Sequence, residues 1–309
     1  MIPAEYKQLL AERSTLQRLL ADIPEEEVLT RGSFVARLDD VEDRLAALGA
    51  DTPEPARAQL TFRGRPVVGS HGVFADFGLK ATGELVEAVN RIAAAINAPL
   101  AATGPIPNRG QNRLLVTGTA VGSFGFTLEE YVEPDGSQLT LELGLESSVS
   151  KALAQTQDLL AGTLGTEDEL ADAIAEVDPR ARGAVRDFLE TLAANDATFT
   201  LQRGQRVVAF REIGEIQQSV RRLGQDNVRE EQEVFAGMLQ GILPELRTFE
   251  FKVEQDGRII RGKLGPAIVN PDELNQHHLY QSVQISVRAV RVGTRSPRYV
   301  LNELPDWQE

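Results

Sequence analysis

A chain without cysteine must do any chemistry with hydroxyl, imidazole, carboxylate and basic groups. Thiol nucleophiles, disulfide frameworks, Cys-ligated zinc and iron–sulfur centres are excluded, because each needs sulfur. Histidine is scarce: His71, His277 and His278. Ser70 and His71, within Gly-Ser-His-Gly, put a hydroxyl beside a base. A catalytic triad normally brings together residues distant in the chain, and the G-x-S-x-G elbow is missing. Glycines ahead of a long helix suit either backbone N–H groups that hold an anion or a plain tight connection. His277 and His278 are adjacent and do not share a face, so they are poorly placed for one metal ion. No HExxH, Walker A or post-strand G-x-G-x-x-G pattern is present. The expectation is no metal and no cofactor, with an enzyme of unrecognised class, carboxylate-dependent or using the Gly-Ser-His-Gly loop, as the catalytic alternative.

Charge gives a sharper signal. The 46 Asp and Glu residues against 32 Lys and Arg make a formal net charge of −14, which argues against whole-surface binding to nucleic acid or an anionic membrane. The deficit is unevenly spread. Residues 258–298 hold Arg258, Arg261, Lys263, Arg288, Arg291, Arg295 and Arg298 against Asp272 and Glu273, a local +5, so the other 268 residues carry −19. These seven basic residues are the candidate surface for a protein partner, with nucleic acid as the alternative. Tyr280, Tyr299 and Trp307 are the few aromatics offered for base stacking, and Glu230, Glu231 and Glu233 stand ready to neutralise the patch. A solvated face explains such a run as well. Adjacent acidic pairs such as Asp39-Asp40, Glu129-Glu130 and Glu230-Glu231 read as solvated surface.

A second candidate is the loop 104–113, rich in Gly and Asn, where Arg109 and Arg113 join Ser70 and His71 as possible ligand contacts. Gly122 and Gly125 interrupt an otherwise apolar strand, which marks a bulge or a close backbone approach.

The elements that must position these residues follow from periodicity. Apolar residues Tyr6, Leu9, Leu10, Leu16, Leu19, Leu20 and Ile23, then Val28, Phe34, Val35, Leu38, Val41, Leu45 and Leu48, recur at helical spacing on either side of Pro24. They predict a helical hairpin over 1–50, ended by Gly49 and a Pro-punctuated linker over 51–55. Its apolar stripes are wide enough to suggest a homo-oligomer through the N-terminal helices. Residues 51–146 read as an α+β domain: a hairpin over 59–68 turning at Arg63-Gly64, and a long helix over 75–96 with Phe77, Leu79, Leu85, Val86, Val89, Ile92 and Ile96 inward. Strands follow over 114–117, 122–132 and 138–145, the last two split by the turn Glu133-Pro134-Asp135-Gly136. Residues 147–228 are mostly helical with a small hairpin around Arg203-Gly204-Gln205, and Thr166 with Glu169 has capping-box spacing. Residues 229–309 give three strands, a short helix over 271–276 and two more strands. That order resembles the OB-fold, a five-stranded Greek-key barrel, with an SH3-like barrel as the competitor.

The fold class expected is therefore α+β and multidomain: helical hairpin, antiparallel sheet with a long helix, and small C-terminal barrel, OB-like or SH3-like. The N-terminus lacks an apolar h-region and no run approaches the length of a membrane span, so a cytoplasmic protein with no membrane contact is expected. With no catalytic constellation visible, the function expected is that of a non-catalytic interaction or scaffold protein.

Overall fold

The computed structural model describes residues 28–48, 55–101, 103–120, 124–132 and 146–305, together with positions 9, 12, 13, 15–17, 19 and 20. Its contacts cluster into two units: Met1–Pro55 with Val132–Ser147, and Ala56–Tyr131 with Ser148–Glu309. Tyr6, Leu10, Ile23, Pro24, Gly49, Gly122, Ser123, Trp307, linker positions 51–54, the turn 133–136 and the expected strand 138–145 lie outside the described residues.

In the first unit, α1 (Val28–Leu48) buries Val41 and Leu45, one helical turn apart, against Leu9 and Leu16. Arg31 donates to the Leu20 carbonyl at 3.3 Å, and Arg37 pairs with Glu12 at 2.7 Å. The partner number falls as the α1 number rises, so the described helical residues between Leu9 and Leu20 run antiparallel to α1.

The second unit mixes helices with two main sheets. The strands β1 (Arg57–Gly64), β4 (Leu114–Thr119), β5 (Phe124–Glu130), β6 (Ala197–Arg203) and β7 (Arg206–Ala209) form an antiparallel sheet in the order β4-β5-β1-β6-β7. Central β1 alternates: Ala58, Leu60 and Phe62 are buried. In register across the sheet, Phe62 stands between Phe124 and Phe199, and Leu60 between Phe126 and Leu201. Cross-strand pairs of this kind are the unit of sheet stabilisation. Over that apolar face lie α2 (Ala75–Asn97), α3 (Ser148–Leu164) and α5 (Pro179–Ala194), with Phe77, Leu85, Val89, Leu159, Phe188 and Leu192 in one core. Phe62 meets Phe77, and Phe199 meets Phe188, in edge-to-face contacts at 5.2 and 4.9 Å.

Several expectations change. Glu130, read as solvated surface, is 4% exposed and accepts from the Ala56 N–H at 3.0 Å. β1 does not turn back at Arg63-Gly64: it runs on to Gly64, and β2 (Val67–Val68) pairs instead with β3 (Gly72–Val73). The partners of β1 come from far along the chain, because they carry the apolar residues that match its buried face. Leu79 is 75% exposed rather than inward. Residues 147–228, which the sequence leaves open as a separate domain or the other half of the preceding one, add β6 and β7 to the sheet of β1 and share its core.

Helix α4 (Glu167–Ala175) starts at the Thr166–Glu169 capping box, and α5 starts at Asp178, whose carboxylate accepts from the Arg180 N–H. Helix α6 (Ile213–Arg222) leads to the barrel strands β8 (Val228–Leu243), β9 (Thr248–Val253), β10 (Ile259–Leu264), β11 (Ser282–Val292) and β12 (Arg298–Leu301), with α7 (Pro271–His278) between β10 and β11. They close in the order β10-β12-β11-β8-β9, and β9 returns to β10. The β10–β12 pair is parallel and the others antiparallel. Sixteen-residue β8 closes the ring by serving two partners. Its first part pairs with β11 and its second with β9, with a register shift between Leu239 and Gly241 that bends the strand. Leu239, Phe249, Phe251, Ile260, Ile285, Val287 and Leu301 fill the barrel. Among the described residues no helix is long and apolar enough to cross a membrane.

Gly125 is the interrupting strand glycine whose surroundings are described. A Cβ there would lie 2.0 Å from the Leu60 carbonyl oxygen of the neighbouring strand, so close backbone approach explains it. Gly125→Ala is expected to lower unfolding stability by about 2 kcal/mol or more through overpacking, checked by urea denaturation with circular dichroism.

Candidate functional site

The basic stretch of the barrel meets carboxylates of its own chain at every position. Arg288 of β11 and Arg182 of α5 both pair with Glu230 of β8, Arg288 at 3.2 Å. These three side chains are 12–16% exposed. Arg288 also donates to the carbonyls of Ala175 at 2.9 Å and Val177 at 3.5 Å, at the end of α4. A helix leaves its last carbonyls without intrahelical partners and ends with partial negative charge, so a guanidinium there satisfies both needs. The triad thus ties α4, α5, β8 and β11 together.

Around it runs a seam of more exposed pairs. Arg298 contacts Asp172 at 2.5 Å and Asp168 at 3.2 Å. Arg295 contacts Glu167 at 3.4 Å and Asp168 at 3.9 Å, and Lys263 contacts Glu176 at 2.9 Å. All these carboxylates belong to α4 or to the residue that ends it. Hydrogen bonding to Asp172 raises the Arg298 pKa further, against a desolvation that lowers it. The remaining basic residues pair within the barrel: Arg261 with Glu250 at 2.6 Å across β9 and β10, Arg291 with Glu231 and Glu233, and Arg258 with Asp256 at 3.2 Å. Arg258 also lies 5.4 Å from the Phe235 ring centroid.

The acidic side of the seam was missed in the sequence reading, yet its signal is present. Asp168, Asp172 and Glu176 fall at four-residue spacing and share one helix face. Glu167, Asp168 and Glu169 also occupy the first turn, where negative charge complements the helix dipole.

Where α4 meets the barrel, the surfaces leave a cleft of about 780 Å³. Its charged lining consists of Asp172, Glu176 and Glu250 against Arg261, Lys263 and Arg298. Its floor comes from Ile242, Leu243, Phe249, Gly262 and Tyr299. Gly262 is required there: a Cβ would lie 2.4 Å from the Tyr299 carbonyl and 2.6 Å from the Phe249 ring. Phe249 and Tyr299 are 1% and 8% exposed, too buried to offer an open stacking surface to the cleft. Burial, followed by the Glu233 charge, holds the Tyr299 hydroxyl above its ordinary pKa, against Arg258 and Arg291.

The other candidates are not brought together. Ser70 and His71 are exposed in the turn between β2 and β3, where the His71 N–H donates to the Val68 carbonyl at 3.0 Å. Arg109 pairs with Glu87 of α2 at 2.8 Å, and the Arg113 carbonyl accepts from the Tyr131 N–H. The β2–β3 turn follows the end of β1, while Arg113 precedes Leu114, which pairs near its start through β5. The length of β1 lies between the two ends so defined. Arg180 further pins the loop by donating to the carbonyls of Ala101 and Gly104, both at 2.7 Å. The His277 and His278 ring centroids are 6.4 Å apart, and Gln281 lies 3.3 Å from the His278 Nδ1. Among the described residues, no group of three His, Asp or Glu side chains is arranged to hold a metal ion.

Comparison with protein-family models, curated proteins and solved structures finds no match to this chain.

Replacing Arg288 with Met leaves Glu230 paired with Arg182 but removes the donor to the Ala175 and Val177 carbonyls and so uncaps α4. The expected loss is about 1.5–3 kcal/mol, the usual range for hydrogen bonds made by a charged group; denaturant unfolding measures it. The cap at the other end of α4 is pH-sensitive. The Thr166 backbone N–H and then its hydroxyl hold the Glu169 carboxyl below its ordinary value of 4.5. A depressed native pKa gives stability that is complete above the unfolded value and lost as pH falls through the native one. Thermal melts of wild type and Glu169→Gln are therefore expected to differ near neutrality and to converge as pH falls through the depressed native value, below 4.5.

Proposed function

We propose that the chain is a non-catalytic interaction protein, that its C-terminal barrel is of OB type, and that the barrel engages a segment of a partner protein at the cleft beside α4. Three features support the barrel type: the pairing order β8-β9-β10-β12-β11, the parallel β10–β12 pair, and α7 between the third and fourth strands. An SH3-like barrel is built as an antiparallel meander and has no such parallel pair. In OB-folds the face of the second and third strands is the ligand face, and here β9 and β10 line the cleft.

The observation that carries the protein-partner reading is the state of the cations. Each of the seven basic residues has a carboxylate partner within the chain. A nucleic-acid backbone asks for a track of unneutralised cations and outward aromatic faces, whereas mixed charge over an apolar floor suits a polypeptide segment. Nucleic acid is the second reading, favoured by the OB-type pairing. The helical residues of the first unit are a further contact surface in this proposal, with exposed Leu19 and Val35 as the points where a second copy would pack.

Two probes on the full-length protein separate these readings. A display library of random peptides is expected to enrich sequences whose binding is lost in Leu243→Glu, on the cleft floor, while a labelled single-stranded oligonucleotide binds more weakly than about 10⁻⁵ M at physiological salt. Tight, steeply salt-dependent oligonucleotide binding that disappears in Arg261→Glu would favour the second reading; no cleft-dependent ligand of either kind would overturn both. Light scattering of the same samples tests the second copy: wild type is expected above its 33.8 kDa chain mass, and Val35→Glu at that mass.

A further inference from the structure

We propose that the cleft recognises an acidic segment of the partner, and that Asp172, Glu176 and Glu250 are the resident counterions this segment displaces. The inference rests on the reading of the barrel as a partner-binding module and names the chemistry of what it binds.

The cleft already shows how it holds carboxylates. Arg298 meets Asp172 at 2.5 Å, Arg261 meets Glu250 at 2.6 Å and Lys263 meets Glu176 at 2.9 Å. These are close charge-assisted contacts. The cationic side chains are reachable from solvent, with 30% of Arg298, 45% of Lys263 and 76% of Arg261 exposed. Helix α4 itself does not vacate the site, because Leu170, Ala171 and Ile174 are fully buried in the core of the sheet unit. Incoming carboxylates therefore approach from the open side and exchange with the resident ones while the helix stays in place.

Competition sets the kind of ligand. Resident carboxylates act at the high effective concentration of an intramolecular group, although each exposed pair is individually weak. A single carboxylate cannot displace them; several, presented together at the spacing of the three cations, can. Leu243, exposed and part of the cleft lining, adds a contact for an apolar side chain. The expected ligand is thus acidic with interspersed apolar residues, the pattern that α4 presents in Asp168, Leu170, Asp172, Ile174 and Glu176. Phosphates would meet the same resident carboxylates without an aromatic face on which to stack their bases.

The probe is a fluorescein-labelled synthetic peptide copying residues 166–177, with an all-amide version in which Asn and Gln replace Asp and Glu. Full-length Asp172→Asn/Glu176→Gln is expected to bind the acidic peptide about tenfold or more tighter than wild type, to bind more weakly as salt rises, and to ignore the amide version. Adding Lys263→Glu and Arg298→Glu is expected to abolish the gain. In wild type, saturating peptide should shift backbone amide resonances at 241–250 and 261–263, a readout independent of how stable the variants are. The inference is overturned if the double variant gains no affinity, if the gain survives the charge reversal, if the resonance shifts fall elsewhere, or if a single-stranded oligonucleotide gains in the peptide's place. Should the random-peptide library yield cleft ligands without acidic residues, this inference fails while the binding-protein reading stands.

Discussion

The triad of Arg182, Glu230 and Arg288 is the constraint on which the geometry of the cleft depends. Two guanidinium groups share one carboxylate in a largely desolvated place, which leaves an excess of positive charge. The excess faces the last carbonyls of α4, where a helix carries partial negative charge, and Arg288 donates to two of them. Glu230 and Arg288 lie on paired strands, directly flanking a register fixed along the whole of β11. The barrel wall, the end of α4 and the start of α5 are consequently set by one hydrogen-bonded cluster. Apolar packing completes the join: Val228, Val290 and Val292 belong to the barrel strands, yet they are buried in the core of the sheet and its helices.

The charge asymmetry takes on a different meaning beside that cluster. A +5 stretch in a chain of −14 reads as a surface awaiting an anion. Folded, much of it faces the acidic side of α4. Exposed pairs such as Arg295 with Glu167 contribute little stability in water. Their value is in orientation, since like-charge alternatives are disfavoured and the complementary arrangement is selected. Where the seam ends, the same cations and carboxylates line an open cleft, so one set of charges both seats the barrel and defines the chemistry of its candidate site.

Local signals were legible throughout. The alternation of Phe249, Phe251 and Val253 marked β9, the Thr166–Glu169 spacing marked the start of α4, and the apolar period marked α2 nearly to the residue. A closed five-stranded barrel at the C-terminus was expected and is present. What misled was pairing at a distance. Arg63-Gly64 looked like a turn, but both residues belong to β1, the central strand of its sheet, and the chain turns only at Arg65-Pro66. Turn propensity is a local preference of modest size, and the burial of Leu60 and Phe62 against remote strands outweighs it.

For the candidate site, the sequence by itself determined which side chains are charged, that the chain has no thiol chemistry, and that basic residues gather over 258–298. It also fixed the acidic stripe of α4, through a period set by helix geometry alone. Tertiary structure decided that stripe and patch face each other. Asp172 and Arg298 are 126 positions apart, and no local rule relates them. Contacts of that separation come from packing the whole unit, because a β-strand period and a helix period say which face is buried and nothing about which distant surface will cover it.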